Sequence, residues 1–260
     1  MNIQKNKFTC KRGSLTISGT QYKPEGNALP ITIVSHQFMA NQGMVKHYAK
    51  LFAELGFAAF TFDFNGGCLA IGKSSGKTTD MSVLTEVEDL YAVIDYAKSL
   101  PFTNAESITL MGCSQGGLVS AITASKRRDE ISNLVLFYPA LCIPDDARSG
   151  KMMMAKFDPK SIPDIIQCGP MKLGGCYAKA VINMDAYDEI KGFPKNVLIV
   201  HGNADRLVDI SYSEKAAKTY IDNGNSHVQF CEVDGGGHIF SKKHDKIAIK
   251  YLKEFIIKIK

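Results

Sequence analysis

The sequence predicts an α/β protein with a mostly parallel central sheet and helices on both faces. Short apolar runs rich in β-branched and aromatic residues alternate along the chain with helical patterns of greater length. Parallel strands need such crossover helices, and a strand covered on both faces is apolar throughout. One long stretch interrupts the alternation, which predicts an insertion between two strands of the sheet.

The elements follow one another in a regular order. Residues 7–23 alternate polar and apolar around Lys11-Arg12-Gly13, which predicts an antiparallel hairpin. Further strands are predicted at 31–36, 57–64, 108–111, 134–140, 197–202 and 227–233. Helices are predicted at 44–56, 82–99, 115–128, 211–222 and the C-terminus. This order is typical of a sheet built from strand–helix–strand units.

Residues 139–193 form the interruption. They contain no clear buried strand, and about fifty residues are too many for a simple connection between core strands. Their tyrosines, methionines and other apolar residues favour an ordered lid over a disordered loop. We therefore expect a core formed by residues 1–138 and 194–260, with residues 139–193 inserted as a lid.

The composition is that of an ordinary globular protein, with 45% apolar and 22% charged residues. The formal charge of +5 comes from scattered lysines, and the lysine-rich C-terminal segment places its apolar residues on one helical face. A docked helix explains that segment better than binding to nucleic acid or membranes. We therefore expect neither nucleic acid nor a membrane as a partner.

The seven cysteines include no C-x-x-C pair, which favours reduced thiols in a cytosol over a disulfide framework or a zinc site. The N-terminal residues contain no apolar stretch of signal-peptide length, and no segment approaches membrane-spanning length. These observations predict a cytoplasmic protein.

Ser114 is the candidate nucleophile. It stands in Gly112-Cys113-Ser114-Gln115-Gly116, between an apolar strand and a helical pattern. This strand–turn–helix context is the one that a nucleophile elbow requires, because the small residues allow a tight turn that exposes the serine hydroxyl. The pattern can also arise by chance, so a serine that merely caps a turn is the alternative until its partners are found.

A serine hydroxyl needs a base to take its proton and a carboxylate to orient that base. In the elbow architecture, the acid and then the histidine follow downstream. Asp205 comes just after the strand at 197–202, and His238 lies on a glycine-rich loop after the last strand. Asp209 is a rival for the acid, and His201 is interpreted as a packing residue at a strand end.

The oxyanion formed by attack on a carbonyl needs two main-chain N–H donors held in place beforehand. Gln115, directly after the nucleophile, is expected to supply one of them. Phe38, in the loop after the strand at 31–36, is expected to supply the other, and its side chain is expected to wall the acyl pocket. This chemistry needs no metal and no organic cofactor.

With these residues in place, the chain resembles the α/β-hydrolase superfamily over nearly its whole length, and within it the bacterial cinnamoyl and feruloyl esterases. The matching pieces are F-D-F-N-G, D-M-S-V-L-T-E-V-E-D-L, C-S-Q-G-G, D-P-K-S-I-P-D, K-L-G-G-C-Y and the loops of Asp205 and His238. The resemblance implies a small ester as substrate and a lid that helps to bind its phenolic acyl group. It also implies that Asp146 and Tyr177 are the polar lid residues facing the phenol.

The chain departs from these esterases at two places. Their usual His-Gly-Phe is here His36-Gln37-Phe38, so a bulkier side chain stands beside the oxyanion loop. Where they read N-G-H-G-x-S-x-G, residues 65–76 read N-G-G-C-L-A-I-G-K-S-S-G. This loop is longer and lacks the histidine, and we expect it to lie next to the active site.

Residues 67–74 of that loop also match the phosphate-binding pattern G-x-x-x-x-G-K-[ST]. Such a site requires a helix that begins at the lysine, Lys73, so that its N–H groups face the phosphates. The following residues disfavour a helix, and the helical pattern begins only near Ser82. The strands at 108–111 and 134–140 offer no aspartate for magnesium, so nucleotide hydrolysis is not expected.

The sequence thus predicts a serine carboxylic-ester hydrolase that forms an acyl-enzyme with small esters, with hydroxycinnamoyl esters as one candidate class. The alternatives are a serine peptidase or amidase of the prolyl oligopeptidase type, and a monoacylglycerol or short-chain acyl esterase. A binding protein without turnover is disfavoured because no triad residue is missing. The sequence leaves open a monomer or a homodimer.

Overall fold

The computed structural model describes residues 2–69 and 72–259 of the chain. The strands are β1 (Gln4–Arg12), β2 (Leu15–Lys23), β3 (Leu29–Ser35), β4 (Ala58–Phe62), β5 (Thr103–Cys113), β6 (Asn133–Phe137), β7 (Lys151–Met152), β8 (Ala155–Lys156), β9 (Ile165–Cys168), β10 (Met171–Gly174), β11 (Asn196–Gly202) and β12 (Val228–Val233). The helices are α1 (Gln42–Glu54), α2 (Val83–Lys98), α3 (Gln115–Lys126), α4 (Ile143–Arg148), α5 (Gly175–Val181), α6 (Ala186–Ile190), α7 (Ser211–Asp222) and α8 (Lys242–Ile259).

Eight of these strands form one sheet in the order β1-β2-β4-β3-β5-β6-β11-β12. The β1–β2 hairpin is antiparallel, and β2 joins the sheet antiparallel to β4. Every other neighbouring pair of the sheet is parallel. The mostly parallel sheet confirms the predicted fold class, and the opening hairpin is where residues 7–23 predicted it.

The two faces of the sheet bury two separate apolar clusters. Ile33, Leu136 and Ile199 belong to a cluster that also contains residues of α2, α3 and α7. Their neighbours in sequence, including Val34 and Val200, belong to a second cluster with α1 and α8. Successive residues of a strand point to opposite faces, so continuous apolar runs are needed when helices cover both. This is the reason that the central strands contain no polar alternation.

Strand β5 is longer than the predicted run at 108–111, because it begins at Thr103. Asn104, Glu106 and Ser107 are polar, a composition typical of a turn, but the main chain at Thr103 and Asn104 still pairs with β3. The register shifts between Pro30 and Ile31 on the β3 side. Main-chain pairing does not require apolar side chains at an exposed strand end, so the pattern could not reveal this extension.

Between β6 and β11 the chain forms three short helices, α4, α5 and α6, and two small antiparallel hairpins, β7–β8 and β9–β10. These hairpins are separate from the main sheet. Leu173, Tyr177, Val181 and Phe193 are buried in the same apolar cluster as the α2–α3 face of the sheet. The segment is therefore packed onto the core. The division of the chain into a core and a lid at residues 139–193 stays a prediction.

None of the helices in the described part of the chain combines the length and the hydropathy that crossing a bilayer requires. Helix α8 is 18 residues long, but it carries lysines along its exposed side and buries Ala248, Leu252, Phe255 and Ile256 against the core. This is the docked amphipathic helix that the C-terminal pattern predicts.

Candidate active site

Ser114 lies in a strained turn between β5 and α3, with φ 53° and ψ −121°. A Cβ atom on Gly112 would lie 2.0 Å from the carbonyl oxygen of Gly116, and one on Gly116 would lie 2.5 Å from that of His36. Only glycine fits at either position, because no side chain can occupy space already taken by main-chain atoms. The turn has the geometry of the predicted nucleophile elbow.

The structure brings Ser114, His238 and Asp205 together from the carboxyl ends of three strands. The Ser114 Oγ atom lies 2.9 Å from His238 Nε2, and His238 Nδ1 lies 2.8 Å from Asp205 Oδ2. Both distances are those of hydrogen bonds. The Asp205 side chain is fully buried and the imidazole of His238 is mostly buried. Loops beyond the carboxyl ends of parallel strands line the crevice where such folds bind ligands.

The carboxylate of Asp205 is held by an unusual number of donors. Its Oδ1 accepts hydrogen bonds from the N–H groups of Leu207 and Val208, at 2.8 and 3.0 Å. Burial by itself raises the pKa of Asp205, but the hydrogen bonds from His201, His238 and Val208 outweigh it and hold that pKa well below its usual range. The carboxylate is therefore ionised at neutral pH, with its charge beside His238.

His201 is more than the packing residue that the sequence suggests. Its Nε2 lies 3.0 Å from Asp205 Oδ2 and 3.1 Å from the carbonyl oxygen of Val208, and its Nδ1 lies 2.6 Å from Ser213 Oγ. The imidazole is completely buried at the end of β11. The spacing of four residues between His201 and Asp205 across a strand-end turn was the available signal for this contact.

Asp209, the rival acid, lies elsewhere. Its Oδ1 accepts a hydrogen bond of 2.9 Å from the N–H of Ser211 at the start of α7. The side chain is exposed, and that bond with Ser211 lowers the pKa of Asp209. Its carboxylate thus stabilises the beginning of a helix, as acidic residues commonly do.

A cavity opens over Ser114 between the sheet edge and the segment at 139–193. Its walls are mainly apolar, with polar groups at a few points. Phe38, Ser114, Gln115, Ala140, Cys142, Ile143, Asp146, Lys151, Met152, Met153, Tyr177, Leu207 and Val208 line it. Every residue that the sequence analysis placed at the oxyanion or the phenol therefore lies at this one cavity.

Tyr177 belongs to a buried chain of hydrogen bonds below the cavity. Its hydroxyl donates to Gln115 Oε1, and Gln115 Nε2 donates to Glu86 Oε2 at 2.7 Å. All three side chains are almost completely buried. Burial raises the pKa of Glu86 well above its usual range, although the bond from Gln115 opposes this. This chain of hydrogen bonds joins α5 to Gln115, the residue that follows Ser114, and to Glu86 of α2.

Glu86 was not among the predicted site residues. A glutamate in a helical pattern usually faces water, so a glutamate in the helix predicted at 82–99 does not by itself indicate a site. The position of Glu86 in the sequence was the signal for its burial. It has the spacing of one helix face with Val83, Val87 and Leu90, which α2 buries together with it. A charged residue on the apolar stripe is the observation that could have identified it.

Asp146 lies in the short helix α4 at the cavity wall. Its carboxylate is hydrogen-bonded to the thiol of Cys142, and burial raises the pKa of Asp146 above its usual range. Lys151 lines the same cavity and its charge opposes that rise. The two residues give the cavity wall formed by α4 and β7 one acidic and one basic group.

The two residues predicted to donate to the oxyanion, Phe38 and Gln115, line the same cavity as Ser114. Gln115 opens α3, and the first N–H groups of a helix have no acceptor within it. Among the described residues, the main-chain hydrogen bonds outside helices and strands include no acceptor for the N–H of Phe38 or Gln115. Both residues line the cavity. Their assignment as oxyanion donors stays a prediction, which these observations support.

The long loop after β4 packs behind the oxyanion loop. Cys68 forms an isolated parallel bridge with Met39, and the N–H of Lys73 donates to Asp63 Oδ2 at 3.0 Å. Ala70 and Ile71, which belong to the phosphate-binding pattern, lie outside the described residues. No helix begins at Lys73 in the described part of this loop; α2 begins after Ser82, whose side chain caps it. The predicted helix start is thus confirmed.

His36, Asp63 and Cys68 form a group that offers possible metal ligands, with ligand atoms within 4.8 Å of one another. Their polar atoms already have partners. Asp63 accepts hydrogen bonds from the N–H and the amide of Gln42, and His36 Nε2 accepts one from the N–H of Phe64. A cation here would have to displace bonds that hold the loop after β3. The seven cysteines are all free thiols.

Comparison with known proteins identifies the family. The family model described as Hydrolase_4: Serine aminopeptidase, S33, matches residues 26–188. The structure of Est1E from Butyrivibrio proteoclasticus with ferulic acid bound has 28% identity and a TM-score of 0.87, covering 96% of this chain and 98% of that chain. A second structure of Est1E from the same organism has 26% identity and a TM-score of 0.84, covering 97% of this chain and 98% of that chain.

The curated relatives are either less similar in sequence or similar over a shorter part of the chain. Human monoglyceride lipase is 24% identical over 254 residues, covering 85% of this chain and 79% of the lipase. An uncharacterised 31.7 kDa protein from the traX-finO region of Escherichia coli is 28% identical over 148 residues, 56% of this chain. The chain spans only half of the length of that relative. The family match and the fold together support one conclusion: this chain belongs to the Hydrolase_4 (serine aminopeptidase, S33) family and is an α/β hydrolase.

Proposed function

We propose that this hydrolase is a serine carboxylic-ester hydrolase that works through an acyl-enzyme. The observation that carries the proposal is the hydrogen-bonded series Ser114 Oγ, His238 and Asp205, with distances of 2.9 and 2.8 Å. A nucleophile, a base and an acid in that order form a catalytic triad. The strained elbow at Ser114 supports the same assignment, because it is the turn that exposes a nucleophilic serine.

The mechanism follows from these positions. His238 takes the Ser114 proton as the hydroxyl oxygen attacks the ester carbonyl, and the N–H groups of Phe38 and Gln115 stabilise the oxyanion. His238 then gives the proton to the departing alcohol, which leaves an acyl group on Ser114. Water hydrolyses this ester by the same steps. Asp205 orients the imidazole and stabilises its charged form.

For the acyl group we propose a hydroxycinnamoyl class. Two acceptors of the lid segment support it, because Tyr177 commits its hydroxyl hydrogen to Gln115 and keeps its oxygen lone pairs, and Asp146 presents a carboxylate. A phenolic hydroxyl is a donor that matches both. The likeness to Est1E, which was solved with ferulic acid bound, supports the same class. Residues 139–193 would act as the lid over this group.

A second candidate is amide hydrolysis of the aminopeptidase type, which the description of the family model favours. Asp146 would then pair with the α-ammonium group of a peptide. Lys151 lines the same cavity and works against a cationic substrate. Monoacylglycerols are a third class, favoured by the likeness to human monoglyceride lipase. Esters and amides use the same attack and differ in the leaving group, so substrates must separate them.

One panel tests the proposal. Methyl esters of hydroxylated and unsubstituted cinnamic acids, a butyrate ester, a monoacylglycerol and aminoacyl anilides are each assayed with the wild type and with Ser114→Ala. We expect hydroxycinnamoyl esters to have the highest kcat/KM, and Ser114→Ala to lose a factor of roughly 10⁴ or more because a triad acts as a unit. A fluorophosphonate should label Ser114. An active Ser114→Ala protein would contradict the mechanism, and a preference for anilides would contradict the esterase assignment.

A further inference from the structure

The N–H of Phe38 can stabilise an oxyanion only while the peptide between Gln37 and Phe38 keeps one orientation. The carbonyl oxygen of Gln37 accepts hydrogen bonds from His36 Nδ1 at 2.7 Å and from the N–H of Ala40 at 3.2 Å. The Nε2 atom of His36 accepts a bond from the N–H of Phe64, so the imidazole proton is on Nδ1. In a trans peptide the N–H points away from the carbonyl oxygen. These bonds therefore turn the N–H of Phe38 away from His36 and Ala40.

The loop that contains this peptide is irregular and strained. Residues 36–41 connect β3 to α1 without belonging to a strand or a helix. Within this loop, Met39 has φ 60°, in the left-handed region that a residue with a side chain rarely adopts. A backbone of this kind persists only where the surrounding contacts hold it in place. The side chains of the loop must therefore supply such contacts.

The side chain of Gln37 supplies one of these contacts. Its Nε2 donates to the hydroxyl oxygen of Tyr138 at 3.2 Å, and both side chains are buried. Its Oε1 has no partner among residues 2–69 and 72–259, so the bond to Tyr138 is the one that orients the amide. The Tyr138 hydroxyl is also hydrogen-bonded to the thiol of Cys113. One hydroxyl thus links the residue before Phe38 to the residue before Ser114.

Tyr138 is itself fixed by its surroundings. It directly follows β6 with φ 38°, and its N–H donates to the carbonyl oxygen of Val200 at 2.8 Å. Its ring packs edge-on against the rings of His238 and Phe240, with centroids 5.1 and 5.0 Å away. A buried ring held on these sides leaves its hydroxyl in one place. The hydroxyl is therefore a fixed acceptor to which the amide of Gln37 is attached.

We propose that Tyr138 is a positioning residue for the oxyanion hole, which acts through Gln37 on the main-chain N–H of Phe38. The inference rests on the proposed esterase mechanism, and it adds a residue that is not among the described residues lining the cavity over Ser114. Without the hydroxyl, the amide of Gln37 loses its partner and the loop loses a contact. The oxyanion is then stabilised less well, because its donor is no longer held in place before the reaction.

Gln37 is also the residue at which the sequence departs from His-Gly-Phe. A glycine has no side chain that could attach the loop to Tyr138. The bulkier residue therefore gives this chain its own means of holding the peptide of Phe38, which requires both the amide of Gln37 and the hydroxyl of Tyr138.

The Tyr138→Phe variant tests the proposal, because it keeps the ring against His238 and removes only the hydroxyl. We expect kcat for a butyrate ester to fall roughly ten-fold with little change in KM, since the oxyanion forms only after the ester has bound. Tyr220→Phe is the matched control. The hydroxyl of Tyr220 is also buried, but it has no partner among the described residues, so its removal should leave kcat unchanged.

A pair of inhibitors separates a loss of oxyanion stabilisation from a general disturbance. When a trifluoromethyl ketone binds, the Ser114 oxygen adds to the carbonyl carbon, His238 takes the serine proton, and the carbonyl oxygen becomes an oxyanion. The methyl ketone of the same length is the reference, because it is a far weaker electrophile. The ratio of the two inhibition constants should shrink roughly ten-fold in Tyr138→Phe and stay at the wild-type value in Tyr220→Phe. Fluorophosphonate labelling carried to completion counts the folded active sites.

Gln37→Met gives a second reading, because it removes the amide and keeps the length of the side chain. It should lower kcat and the inhibitor ratio as much as Tyr138→Phe does. The double variant should lose no more than either single variant, because the two residues act through one hydrogen bond.

Unchanged kcat and inhibitor ratio in Tyr138→Phe would overturn the proposal, as would a loss confined to KM. The same conclusion would follow if the losses of Tyr138→Phe and Gln37→Met multiplied in the double variant, or if Tyr220→Phe lost as much. Failure of the esterase mechanism looks different, because the wild type itself would then neither hydrolyse the butyrate ester nor be labelled at Ser114.

Discussion

The Nε2 atom of His201 lies 3.0 Å from Oδ2 of Asp205, which is the oxygen that also lies 2.8 Å from Nδ1 of His238. One carboxylate oxygen thus faces two imidazoles. His201 donates through Nε2, so its Nδ1 accepts from the hydroxyl of Ser213. A carboxylate held from several sides cannot rotate, and its orientation decides how the imidazole of His238 is aimed.

We expect His201→Phe, which keeps a flat ring but removes the donor, to lower kcat roughly ten-fold with little change in KM. Asp205 then has one donor fewer and becomes more basic, which stabilises the charged imidazole. The acidic limb of the kcat/KM profile should therefore move to higher pH. His227→Phe, an exposed histidine before β12, is the matched control. Unchanged kcat and an unchanged pH profile would reduce His201 to a packing residue.

The choice between the two acids has a direct test. Asp205→Asn should lower turnover by about 10³ to 10⁴-fold, because the amide misorients His238 and cannot balance its charge. Asp209→Asn should have a far smaller effect, since that carboxylate bonds the N–H of Ser211 at the start of α7. Steady-state kinetics with one ester suffices. Reversed effects would mean that Asp209 and not Asp205 is the acid.

We expect the hydroxyl oxygen of Tyr177 to accept a hydrogen bond from the phenolic hydroxyl of the acyl group. We expect Tyr177→Phe to reduce the preference for hydroxylated over unsubstituted cinnamoyl esters roughly ten-fold, because the substrate hydroxyl loses an acceptor worth about 1–3 kcal/mol when buried. Tyr177→Phe also removes the hydrogen bond from Tyr177 to Gln115. The kinetics with a butyrate ester, which has no phenol, measure how much activity is lost for that reason alone. An equal loss on all esters would mean that Tyr177 only shapes the lid.

Glu86 should make stability depend on pH. Because its folded pKa is raised, the native state keeps a proton that the unfolded chain releases above about pH 4.3, and stability falls as the pH rises past that value. The Glu86→Gln variant has no carboxyl group at this position and does not lose stability in this way. The free energy of unfolding of the variant minus that of the wild type should therefore rise by up to about 1.4 kcal/mol per pH unit, until the pH reaches the pKa of Glu86 in the folded state.

Urea unfolding at pH 5, 6 and 7 measures this difference, since groups common to both proteins cancel. Glu88→Gln, an exposed neighbour on the same helix, is the control for the removal of one carboxylate from α2. A flat difference for Glu86→Gln would show that the fold holds Glu86 without raising its pKa.

The predictable parts of the site are those encoded locally. Gly112 to Gly116 contain their own turn, and Asp205 and His238 each follow an apolar strand, so their loops meet at one sheet edge. Most of the sheet was predictable for the same reason. Local patterns indicate the strands and helices, and the alternation of the two predicts that the strands run parallel to one another.

Buried polar partners were not predictable in this way. Glu86 meets Gln115, and His201 meets Asp205, only because helices and loops pack together in three dimensions. The orientation of the Gln37 amide likewise depends on its hydrogen bond to Tyr138, which lies far away in sequence. The small hairpins β7–β8 and β9–β10 were missed because strands of two to four residues carry too few side chains to form a pattern.

The pairing of β6 with β11 has a consequence for synthesis. Residues 138–195 separate these neighbouring strands, and closing a loop of roughly 60 residues carries an entropy cost of about 4 kcal/mol. Ser114 lies before this loop, while Asp205 and His238 lie after it. A chain growing on the ribosome can therefore form the turn at Ser114 early, yet Asp205 and His238 reach the serine only when the last strands dock. The hydrogen-bonded series of Ser114, His238 and Asp205 therefore forms only after the C-terminal quarter of the chain has emerged.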